Sequence, residues 1–123
     1  MKKRILAVSH NAALLETRRL LLEKLGHEVF SILDFDNLTR HLSERGCDVA
    51  VLGFSIPSPE KKRVAWLIRQ YSSDCPIVEL FLHSPEIPDA TVHVPNDDGP
   101  AALLNAVRSQ LESDTRSDAA SSN

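Results

Sequence analysis

The stretch that most constrains this chain is Val49-Ala50-Val51-Leu52, four consecutive apolar residues between Asp48 and Gly53. Successive side chains of a strand point to opposite faces, so a strand with no polar member needs cover on both sides. Sheets buried on both faces are parallel ones, with helices as the two covering layers. The run therefore predicts a central strand of a parallel α/β sandwich.

The rest of the chain supplies the layers. Arg4 to Val8 reads as a buried strand. Asn11 caps a helix from Ala12 to about Leu25, with an apolar stripe of Leu14, Leu21 and Leu25 flanked by Leu15 and Leu22, and Gly26 as its stop. Glu28 to Leu33 is a second strand. Asp36 or Asn37 caps a helix to about Arg45, closed by Gly46, with Leu38 and Leu42 inward. Pro59 suits the first turn of a helix to about Tyr71, with Val64, Leu67, Ile68 and Tyr71 on one face. Strands follow over Ile77 to Leu82 and Thr91 to Val94. Pro95-Asn96-Asp97-Asp98-Gly99 leads into a helix from Pro100 to about Glu112, with Leu104, Val107 and Leu111 inward. Residues 113–123 are small and polar with no apolar face, so one domain over residues 1–112 and a disordered tail are expected.

One connection is abnormal. Eight residues separate Leu82 from Thr91, two of them Pro85 and Pro88, whereas a crossover with its own helix takes about a dozen or more. Eight extended residues still span roughly 26 Å at ~3.3 Å each, enough to run back along a strand of ~17 Å. A parallel last strand survives, without its helix.

The chain's 123 residues suffice for one domain with a substantial core, and 42% hydrophobic with 25% charged residues lies in the soluble globular range. A net charge of −3 leaves no general footprint for nucleic acid or an anionic membrane. No run approaches the ~20 apolar residues of a membrane span, and the apolar run after Lys2, Lys3 and Arg4 is too short for a signal-peptide core. Cys47 and Cys75 are too few for a disulfide scaffold and are not spaced for zinc, so a soluble cytoplasmic protein is expected. Each cysteine lies two residues before the apolar start of a strand, and the two strands are expected to be adjacent. Neighbouring free thiols are the expectation, with a redox disulfide as the alternative.

Lys3-Arg4-Ile5-Leu6-Ala7-Val8, then a helix running into Leu-Leu-Leu-Glu-Lys-Leu-Gly-His-Glu-Val over Leu20 to Val29, resembles the opening of response-regulator receiver (CheY-like) domains. Cys47-Asp48-Val49-Ala50-Val51-Leu52 with Pro57 is similar to that family's third strand and loop. Val94-Pro95 before Gly99-Pro100-Ala101-Ala102-Leu103-Leu104-Asn105-Ala106-Val107-Arg108 is similar to its end. The resemblance covers Lys2 to Leu111. It implies a flavodoxin-like three-layer sandwich with a five-stranded parallel sheet in the order 2-1-3-4-5. The first and last helices then lie on one face, the second and third on the other.

The resemblance also implies a phosphoryl-accepting aspartate ending the third strand and an acidic, magnesium-holding pair after the first. A hydroxyl residue ends the fourth strand and a lysine the fifth. Magnesium is a hard cation that takes carboxylates, and the nucleophile must itself be a carboxylate. Here the pair is Ser9 and His10, the acceptor position is Gly53, Phe81 or Leu82 replaces the hydroxyl, and Val94 replaces the lysine. Every member is missing. The expectation is an atypical receiver, or pseudo-receiver, that is not an enzyme. It acts in two-component signal transduction by phosphorylation-independent protein–protein interaction.

A second reading is a small-ligand-binding or enzymatic domain using the strand-end cleft around His10, Gly53 and Ser55. A histidine after the first strand is also found in cobalamin-binding domains of similar topology, but their Asp-x-His-x-x-Gly signature meets Val8 and Ala13 here. No cofactor and no metal are expected, and His83, Asp89 and His93 are not fixed as ligands.

In receivers the helix between the fourth and fifth strands contributes to the output surface. Its loss leaves the face of Ile77, Glu79 and Phe81 to be covered by Trp66 and Ile87 or by a second chain. Trp66 lies opposite the apolar stripe of its helix, beside Lys62, Arg63 and Arg69. The expected partner surface is therefore Trp66, Lys62, Arg63, Arg69, Glu79, Phe81 and Ile87. The partner is a signalling protein, with a homodimer as one form, and neither membrane nor nucleic acid.

Overall fold

The computed structural model describes the backbone of residues 2–121 and the side chains of residues 2–112. In chain order it contains β1 (Arg4–Val8), α1 (Ala12–Glu23), β2 (Glu28–Ile32), α2 (Phe35–Glu44), β3 (Val49–Leu52), α3 (Ser58–Tyr71), β4 (Ile77–Phe81) and β5 (Val92–Pro95). A 3-10 turn (Asn96–Asp98) then leads into α4 (Pro100–Ser121). The five strands form one parallel sheet in the order β2-β1-β3-β4-β5, as the resemblance implied. The last helix runs on to Ser121, past its expected end at about Glu112, and residues 122–123 of the expected disordered tail lie outside the described residues.

Alternation along the strands builds two cores. Leu6, Val8, Ala50, Leu52 and Ile77 face α2 and α3, where they meet Leu38, Leu42, Val64, Ala65 and Ile68. Ile5, Ala7, Val49, Val51, Val78 and Leu80 face α1 and α4, against Leu15, Leu22, Leu103, Val107 and Leu111. All four residues of β3 are buried, which is the double cover that Val49 to Leu52 demanded.

Helix phases differ from the expected stripes. In α1 the buried residues are Leu15, Arg18 and Leu22, while Leu14, Leu21 and Leu25 are half-buried. In α3 they are Lys61, Val64, Ala65 and Ile68, and Tyr71 is exposed. Both helices are rolled toward a long basic side chain, whose methylene stem packs as apolar surface once its charged end has somewhere to go. Asp34 caps α2, accepting from the Asp36 N–H at 3.1 Å, in place of the expected Asp36 or Asn37. The helix starts earlier because Phe35 packs on the core.

Candidate functional site

The carboxyl ends of β1 and β3 carry the positions where receiver chemistry would sit. Ser9 is buried, and its Oγ lies 3.0 Å from Ser55 Oγ while accepting from the Asn11 N–H at 3.1 Å. Ser55 Oγ in turn accepts from the His10 N–H at 3.2 Å. These neutral contacts stitch the loop after β1 to the loop after β3. His10 itself is exposed, with Nε2 2.6 Å from Glu60 Oε2 and its ring edge-on to Phe35.

Gly53 is where the replacement is plainest. A Cβ added to Gly53 would stand 2.6 Å from Arg18 Nη1, 3.2 Å from Val8 O and 3.4 Å from Ser9 Oγ. The Arg18 guanidinium fills the space a side chain at this position would enter. It is 7% exposed, lies 5.4 Å from the Phe54 ring centroid, and its Nη1 has no hydrogen-bond partner among the described residues. Burial holds its pKa below the usual guanidinium value. The cleft expected by the ligand-binding reading is thus occupied at Gly53 by the chain's own cation.

The nearby aspartates do not substitute. Asp34 caps α2, and Asp48 lies at the opposite end of β3, where Oδ2 accepts from the Arg4 N–H at 2.7 Å. Among the described residues no three His, Cys, Asp or Glu side chains converge to hold a metal ion. Phe81 is half-buried, Leu82 is exposed beyond the end of β4, and Val94 is buried in the α1–α4 core.

The shortened connection is organised from beneath. Glu79 on β4 and Lys61 on α3 have no solvent exposure, and Lys61 Nζ lies 3.0 Å from Glu79 Oε2. Nζ also donates to Leu80 O at 2.8 Å and to Glu86 Oε1 at 3.3 Å. Glu79 Oε2 accepts from the Glu86 N–H at 2.8 Å, and Oε1 from the Ile87 N–H at 3.2 Å and from His93 Nδ1 at 2.8 Å. His93 is its direct register partner on β5. Burial pushes the Glu79 carboxyl up, but the donors from Glu86, Lys61, His93 and Ile87 outweigh it and hold it below the ordinary carboxylate value. The carboxylate acts as a clasp that turns the chain over the sheet and drives Ile87, 1% exposed, into the core beside Ile77.

The residues grouped as a partner surface therefore divide. Glu79 and Ile87 are interior and support the connection from beneath. Trp66 does not close the gap; it is 60% exposed. It lines a groove of about 350 Å³ with Lys62, Arg69, Ile87, Pro88 and Asp89. Arg69 Nη2 donates to Asp89 O at 2.9 Å, tying α3 to the connection, and Lys62 and Arg63 are exposed.

Arg18, Lys61, Glu60 and Glu86 were not singled out from the sequence. For Arg18 the available signal was its spacing with Leu15 and Leu22, and for Lys61 its spacing with Val64, Ala65 and Ile68.

No family model matches the chain, and no curated protein matches it. Solved structures do. A CheY-like response regulator receiver domain protein from Methanospirillum hungatei superposes with a TM-score of 0.78 at 17% identity, covering 95% of this chain and 99% of that one. The signal receiver domain of a putative Luxo repressor protein from Vibrio parahaemolyticus gives 0.82 at 12% identity, covering 98% of each. A response regulator receiver protein from Sinorhizobium medicae gives 0.75 at 23% identity, covering 90% of this chain and 95% of that one. The fold is that of CheY-like receiver domains.

Proposed function

We propose that this chain is an atypical receiver that has lost phosphoryl transfer and works in signal transduction as a non-catalytic docking module. The observation that carries the reading is Arg18 Nη1 lying 2.6 Å from the position a Gly53 Cβ would take. The acceptor carboxylate is missing, and its space is closed by a cation. With Ser9 and His10 in place of an acidic pair, nothing at this end of the sheet recruits magnesium. The strand-end cleft is held in one state by internal contacts, so a phosphate signal has no entry point.

The docking face is the groove between α3 and the shortened connection, and its partner is an acidic protein segment with an apolar anchor. Trp66 offers a large rigid contact, and Lys62, Arg63 and Arg69 around it supply charge complementary to carboxylates. Lys62 and Arg63 have no side-chain partner among the described residues. The test has two parts. Acetyl phosphate with magnesium leaves the intact mass unchanged; a stable added phosphoryl group overturns the reading. A partner captured from the source organism and then purified binds the wild type with a change in the fluorescence of Trp66, the chain's one tryptophan. Trp66→Ala and the pair Lys62→Glu with Arg63→Glu each weaken that binding about tenfold or more. Binding insensitive to both sets of substitutions, or seen only after acetyl phosphate treatment, rejects it. So does concentration-dependent self-association through the groove with no second protein.

A further inference from the structure

At the opposite end of the sheet from Gly53, Cys47 stands just before β3 and Cys75 just before β4. The register sets Ala50 against Ile77, so the cysteines are one step from direct opposition. Even so, the two sulfurs are 2.9 Å apart, and both thiols are free. A disulfide bond is about 2.05 Å long, so closure needs the sulfurs to approach by only ~0.9 Å. Cys75 is buried on the α2–α3 core, while Cys47 is half-buried. A polar cavity of about 330 Å³, walled by Asp48, Tyr71, Ser72, Ser73 and Asp74, opens onto the pair. This is access for a small hydrophilic oxidant to an otherwise enclosed dithiol.

We propose that Cys47 and Cys75 form a reversible intramolecular disulfide site that responds to a hydroperoxide. The Cys47 thiol gives its proton to solvent, and the thiolate attacks the peroxide oxygen. The O–O bond breaks, leaving a Cys47 sulfenic acid and hydroxide. The Cys75 sulfur then attacks Cys47 Sγ; the S–O bond breaks as S–S forms, and the departing hydroxide takes the Cys75 proton as water. Two thiols are oxidised by two electrons, and one hydroperoxide is reduced to water and, for an organic peroxide, an alcohol. The hydrogen bond with Cys47, followed by burial, pushes the Cys75 thiol well above its usual value, which leaves the attacking role to the more accessible Cys47.

The bond would close a loop that contains β3 and the whole of α3, joining positions 28 residues apart. Cross-linking a loop of that length raises the melting temperature by about 10 °C through the unfolded state. The experiment treats the full chain with hydrogen peroxide and reads intact mass, iodoacetamide labelling after unfolding in denaturant, and thermal melting. Loss of two hydrogens, a fall from two labelled cysteines to none, a higher melting temperature and full reversal by dithiothreitol are expected. Cys47→Ser and Cys75→Ser, each checked for its fold by circular dichroism, abolish the loss of two hydrogens. The wild-type mass alone decides the matter if either variant fails to fold. Two thiols still labelled after treatment, a stable gain of oxygens on Cys47 with Cys75 still labelled, or a disulfide-linked dimer would each overturn the proposal.

Discussion

Lys61 Nζ and Glu79 Oε2 lie 3.0 Å apart with no solvent exposure on either side chain, joining α3 to β4 directly beneath the shortened connection. Taking two charges out of water costs several kcal/mol each, and mutual attraction alone seldom offsets it. Here Leu80 O, Glu86, Ile87 and His93 complete the hydrogen bonds of the pair. Removing one partner strands the other. Lys61→Met is therefore expected to destabilise the domain by about 3 kcal/mol or more in urea denaturation. Lys61→Met with Glu79→Gln should cost less than the two single changes summed, and additive costs would show that the pair is not coupled.

A carboxyl held below its unfolded value lends stability that is complete above that value and is lost as pH falls through the folded one. Glu79 is such a group, so its contribution is present above about pH 4.5 and disappears as the pH drops further. His41 is also held low, by burial first and by the Arg45 charge second. Its share is complete above about pH 6.5 and begins to fall below it. Stability measured against pH should decline in two stages on the acid side. Glu79→Gln should flatten only the lower stage; an unchanged lower stage would remove Glu79 as its source.

At Gly53 the prediction concerns space. Gly53→Ala brings a methyl against Arg18 Nη1, the movable end of its side chain, and against Val8 O, and a destabilisation of no more than about 1 kcal/mol is expected. With Arg18→Ala already present, most of that cost should vanish, since the crowding atom is gone. Gly53→Asp restores the carboxylate but places it against the guanidinium, without the acidic partners that would hold magnesium. Intact mass after acetyl phosphate and magnesium should stay unchanged for that variant as well.

Ile87 fills the place of a missing helix with a single side chain. Ile87→Ala should cost about 2–4 kcal/mol, as expected for emptying a buried aliphatic site. The unfolding midpoint should be independent of protein concentration in both proteins. A midpoint that rises with concentration would mean a second chain, and not Ile87, shields this face.

The strands were legible because their burial signal is local. A period of two over four or five residues fixes which side faces which layer, and an unbroken apolar run such as Val49 to Leu52 can only be central. The losses at Ser9, His10 and Gly53 were legible for the same reason, since position relative to a strand end is a matter of counting. Glu79 was legible as an anomaly on an apolar face. Its partners were not, because Lys61 comes from a different layer and the Glu86 and Ile87 N–H groups from a loop with no periodicity.

The sequence by itself thus determined the strands, which of them is central, and which residue types stand at their carboxyl ends, all of which rest on local pattern and residue type. Only the tertiary structure decided that Arg18 and Lys61 turn inward. A helix can roll by one residue's 100° at little local cost, so its phase is chosen by what it packs against. A charge is admitted to that buried face when distant residues supply its partners, as Glu79 does for Lys61, or when a missing side chain leaves it room, as Gly53 does for Arg18.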